Sequence, residues 1–158
     1  MADDSMRAAD INNKHGYFEI NDIINKIQKD PKIVLKYQNK VLKVTSYGLK
    51  SFPKGNYKII YIERDIEEVL DSMDKMTGKR DENRATTKAV FLKLNRTAKN
   101  LMKERDDMDF ITISYYDLIK KPRPVIDRIV KFLGLDSSKK EKMIEAIDVD
   151  SYRNRRVK

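Results

Sequence analysis

The chain contains no cysteine and no tryptophan, and only one histidine, five glycines and four prolines in 158 residues. Without cysteine, disulfides, thiolate metal sites and cysteine nucleophiles are excluded. A single imidazole, His15, leaves little material for a histidine-based metal site, and no metal is expected. No apolar run approaches the roughly 20 residues needed to span a bilayer. The opening MADDSMRAAD is polar and acidic, unlike a secretory signal. The expectation is a cytoplasmic protein with no membrane partner. The glycines Gly16, Gly48, Gly55, Gly78 and Gly134 are scattered, so no G-x-x-x-x-G-K-[ST] or PxSGT-like phosphate loop is present in these residues.

What is abundant is charge. Charged residues make up 37% of the chain and the formal net charge is +9. Such an excess suits an anionic partner, whether nucleic acid, a nucleotide or an acidic membrane surface, while charge alone favours a lysine-rich solvated surface. The length suits one domain over residues 1–158.

Hydrophobic spacing organises the chain. A short helix is expected from Asn21 to about Asp30, with Ile23, Ile24 and Ile27 on one face. Residues 31–37 are apolar but of undetermined type, Val41 to Val44 reads as a strand, and Tyr47 to Asn56 reads as a loop. A strand over 57–63 runs into a helix over 65–76, whose Ile66, Val69, Leu70 and Met73 form a core-facing stripe. After the charged connection from Thr77 to Arg84 comes a long helix over about 85–105. Phe110 to Ser114 is another strand. Val125 to Leu133 forms an amphipathic helix closed by Gly134. Ser138 and Glu141 have the spacing of a capping box opening a last helix. Strands alternating with helices predict an α/β fold, a parallel sheet flanked by helices. Ligands of such sheets sit beyond the carboxyl ends of the strands, where Arg64 falls; Thr45 and Ser46 fall at a second such end if the strand stops at Val44, but read better as ordinary strand-end turn residues.

The stretch YKIIYIERDIEEVLDSMDKM, Tyr57 to Met76, is the most specific. A strand end, an arginine and a helix N-terminus in sequence suit an anion, because free N–H groups and a guanidinium can point the same way. Arg64 can fold along the helix toward Ser72, about 10 Å along the axis from Asp65 at roughly 1.5 Å per residue. The same spacing also suits an Arg64 ion pair with Glu67 or Glu68 and a Ser72 that faces water.

Strand–Arg–x7–Ser, followed by strand–Tyr–x–Asp–Leu–x3–Pro and an FLGL helix end, resembles the sulfotransferase family. The later pieces here are Ser114-Tyr115-Tyr116-Asp117-Leu118, Pro122 and Phe132-Leu133-Gly134-Leu135, with Tyr116 where the family often has Glu. Arg7-Ala8-Ala9-Asp10, Asn13, Gly16-Tyr17-Phe18-Glu19, Lys40 to Val44 and Tyr152-Arg153-Asn154-Arg155 resemble its bacterial and phage branch. The resemblance implies a P-loop fold of the sulfotransferase type lacking its first strand and P-loop. It implies that Arg64 and Ser72 hold the 3′-phosphate of the donor 3′-phosphoadenosine 5′-phosphosulfate (PAPS) or of its product adenosine 3′,5′-bisphosphate (PAP). By the same resemblance Arg153 and Arg155 are candidates for reaching that phosphate, and Glu19 or His15 for the catalytic base. For these last four, a cationic tail, a helix-start acid and a loop histidine are the structural alternatives.

The family cradles the 5′-phosphosulfate with a glycine-rich loop, which these residues lack. Three solutions are open: a second chain or segment supplies the loop, residues 31–37 close the sheet, or the chain dimerises across an exposed edge. The expectation is a nucleotide-binding sulfotransferase-like protein that transfers sulfuryl only when a P-loop is supplied. The alternative is a non-catalytic basic module that binds nucleotide or nucleic acid.

Overall fold

Tyr57–Glu63 (β1) and Met108–Ser114 (β2) pair in parallel, with Ile60 opposite Ile111 and Ile62 opposite Ile113. The computed structural model describes residues 20 and 22–152, and the architecture is α/β, a small open parallel sheet flanked by helices. The chain divides into two compact units: residues 1–55 with 93–104, and residues 56–92 with 105–158.

In the first unit, Ile23–Lys29 (α1) presents Ile23 and the fully buried Ile27 to a small core. Ile33, Val34, Tyr37, Leu42, Val44 and Phe52 pack against it. Residues 31–37 form a 3-10 helix, started by Pro31 and capped by the Asp30 side chain on the Lys32 amide. They therefore do not close the sheet. The Val41–Val44 run is not a strand either. It has no ladder partner among the described residues, and Val41 is 95% exposed while Leu42 and Val44 pack inward. An extended segment with one packed side needs a neighbour to become a strand, and none of the described residues provides one. Thr45 and Ser46 consequently sit at the start of a second 3-10 helix, Ser46–Ser51, where a loop was expected.

In the second unit, Pro122–Leu133 (α5) covers one face of the sheet. Val125, Ile126, Ile129 and Val130, spaced for one helical face, meet Ile60, Ile111 and Ile113. Gly134 ends this helix at φ 70, and the Leu135 amide reaches back to the Val130 carbonyl. Lys58 donates to the carbonyl of Phe132 in the last turn at 2.8 Å, where a cation opposes the helix dipole. Tyr115–Lys120 (α4) follows β2 directly. Its cap is the Ser114 hydroxyl, which accepts from the Asp117 amide at 3.2 Å. The last helix, Lys140–Glu145 (α6), has no side-chain cap. The predicted capping box does not form, because Asp136 caps the preceding turn and Glu141 is drawn into a two-pronged pair with Arg123.

In chain order, Ile66–Thr77 (α2) and Arg84–Glu104 (α3) come between the two strands. Among the described residues no helix is long and apolar enough to cross a membrane.

Candidate functional site

Arg64 stands immediately beyond β1, and Asp65 opens α2 by accepting from the amides of Glu67 and Glu68 at 2.9 and 3.4 Å. The helix N-terminus is therefore closed by its own cap. Those amides, expected from sequence to face an anion, are spent on Asp65. What remains for a ligand is side-chain chemistry.

Glu68 and Ser72, four residues apart, lie one turn from each other on α2, while Arg64, just ahead of the helix, reaches along it to Glu68. Glu68 is 4% exposed, a carboxylate inside the protein. Its burial is tolerated because both oxygens are paired: Arg64 Nε donates to Oε2 at 3.2 Å and the Tyr152 hydroxyl donates to Oε1 at 2.8 Å. The guanidinium also lies over two rings, Tyr115 at 5.1 Å and Tyr152 at 5.3 Å. Those rings meet edge to face, 5.2 Å apart at 88°. Burial, followed by the Glu68 hydrogen bond, pushes the Tyr152 phenol up to about 12.

Two groups near Glu68 remain available. Nη1 and Nη2 of Arg64 make no hydrogen bond to a described residue, and the side chain keeps 23% of its surface exposed. The Ser72 hydroxyl, half-buried two turns along the helix, likewise has no partner among the described residues. A guanidinium fork and a hydroxyl are donors of the kind that bind anions.

A second charged cluster occupies another face of α2. Arg84 binds Glu67 at 2.8 Å, Asp71 at 2.6 Å and Asp74 at 3.3 Å, and Lys88 adds a 2.7 Å contact to Glu67. The hydrogen bonds from Lys88 and then Arg84 hold the Glu67 carboxyl at about 2. Sequence placed Arg84 in a solvated connection, yet the spacing of Glu67, Asp71 and Asp74 on one helical face was the available signal. Next to it lies an open hollow of about 540 Å³, lined by Lys75, Lys79 and Arg80 among others. Among the described residues no cluster of histidine, aspartate or glutamate is placed to hold a metal ion.

The family model described as a sulfotransferase domain matches residues 2–158. The chain belongs to the sulfotransferase family. No curated protein and no solved structure matches it. In this sulfotransferase-family chain, Arg64 precedes α2 and pairs with Glu68, Ser72 lies one turn beyond Glu68 on the helix, and Glu19, His15, Arg153 and Arg155 lie outside the described residues. Sequence reasoning named Glu68 only as one of two ion-pair partners. It had no signal for the meeting of Tyr115 with Tyr152, which depends on the chain returning to the end of β1.

Proposed function

We propose that this chain is a sulfotransferase-like domain that holds the 3′-phosphate of a PAPS- or PAP-type nucleotide with Arg64 and Ser72. The observation that supports this is the guanidinium just ahead of α2, fixed on Glu68 through Nε with its terminal nitrogens without a hydrogen bond to a described residue, and the Ser72 hydroxyl one turn beyond Glu68, likewise without a partner among the described residues. Arg64 supplies charge and a forked donor, and Ser72 supplies a hydrogen bond. PAPS, when bound, supplies an activated sulfuryl group for an acceptor hydroxyl or amine. The work assigned to this chain's own residues is binding and orientation. The 5′-phosphosulfate cradle comes, in this reading, from another segment or a second chain, and the isolated chain binds without turnover.

Calorimetric titration of the purified chain with adenosine 3′,5′-bisphosphate tests the reading. Saturable binding is expected, weakened about tenfold in Arg64→Lys, which keeps a cation beside Glu68 but removes the fork. Binding of polyanions alone, falling steeply with salt and unchanged in Arg64→Lys, would establish the basic-module alternative instead. Sulfate transfer by the isolated chain would overturn the assignment of the cradle elsewhere.

A further inference from the structure

We infer that Glu68 and Tyr152 are positioning residues: they hold the Nε edge and the plane of Arg64 so that its two terminal nitrogens stay presented to a phosphate. This rests on the reading of Arg64 given above. Glu68 contacts Arg64 and lies one helical turn before Ser72, where a carboxylate acting through charge alone would repel a phosphate. Its geometry argues for a different part. It contacts Arg64 through Nε only, at 3.2 Å, and leaves Nη1 and Nη2 without a hydrogen bond to any described residue. It cannot swing away freely, since its other oxygen takes the Tyr152 hydroxyl at 2.8 Å and the residue is 4% exposed.

Rotation of the guanidinium within its plane is thus set by the carboxylate. The plane itself is set by the two rings, at 5.1 and 5.3 Å and perpendicular to each other. A free arginine side chain loses much rotamer entropy when it grips a ligand. Ordering it beforehand removes that cost from binding. Tyr152 belongs to both constraints, so the anion site is assembled only when the 149–152 turn is docked against α2.

The experiment compares two nucleotides on the full chain. The ratio of Kd for adenosine 5′-monophosphate to Kd for adenosine 3′,5′-bisphosphate measures what the 3′-phosphate contributes. Glu68→Gln is expected to lower that ratio about tenfold, and Tyr152→Phe about threefold, the scale of a disordered charge-assisted contact. A ratio in Glu68→Gln equal to or above that of the wild type overturns the inference, because Glu68 would then be a competitor for Arg64. A wild-type ratio near one overturns the reading of Arg64 as well. Should Glu68→Gln fail to fold, Tyr152→Phe keeps the ring and most of its volume and is judged by the same direction of change. The NMR resonance of the Arg64 Nε–H gives a readout independent of affinity. It is expected to be sharp and slow to exchange in the wild type and broadened in both variants, and its persistence in Glu68→Gln counts against the inference.

Discussion

The Tyr152 hydroxyl donates to the buried carboxylate of Glu68 at 2.8 Å, tying the 149–152 turn to the helix that leaves β1. The bond keeps a charged group satisfied inside the protein and places an aromatic ring against Arg64. It also makes the phenol hard to ionise.

That phenol gives an alkaline signature. Its folded pKa of about 12 lies above the ordinary 10, so the stabilisation is complete below pH 10 and is lost as pH rises toward 12. Absorbance titration of the tyrosinates should show a late-titrating phenol that disappears in Tyr152→Phe. Its titration with the bulk of the tyrosines would contradict the buried bond.

The Glu67 cluster gives the opposite, acidic signature. Its carboxyl is held at about 2 against an ordinary 4.5, so its contribution is present above 4.5 and is lost as pH falls toward 2. Glu67→Gln should lower the thermal midpoint at pH 7 and converge with the wild type near pH 2. High salt should shrink the difference at pH 7, because these groups are partly solvated.

Ser72→Ala should leave the thermal midpoint within a degree or two of wild type, since the hydroxyl has no partner among the described residues to lose. Binding of adenosine 3′,5′-bisphosphate should weaken by about threefold to tenfold, the range of one hydrogen bond to a charged group. Unchanged affinity in calorimetry would remove Ser72 from the site.

Gly134→Ala should destabilise the chain by about 1 kcal/mol in urea unfolding. The glycine sits at φ 70 with open space where a Cβ would go, so the cost is conformational rather than steric. A loss several times larger would point to a contact that the open space around Gly134 does not predict.

The strands and the long helices were legible because each carries its own period. Ile60, Ile111, Val125 and Ile129 announce buried faces through local spacing alone. Gly134 was legible as a helix end for the same local reason. The Val41–Val44 run misled because β-branched residues fit a strand, while strand formation needs a partner that local sequence does not specify. The capping box at Ser138 misled because Arg123, on a different helix, competes for Glu141.

The sequence by itself determined the α/β pattern, the excess of cations and the absence of cysteine chemistry, and it put forward Arg64 and Ser72 as a candidate pair. Those follow from composition and from periods of a few residues. Only the tertiary structure decided which acid takes Arg64, that Asp65 closes the helix end, and that Tyr115 and Tyr152 converge on the guanidinium. The reason is distance along the chain. Glu67 and Glu68 are neighbours with the same charge, and what separates their roles is the direction each faces on α2. Glu67 turns toward Arg84, while Glu68 turns inward to Arg64 and the ring of Tyr152.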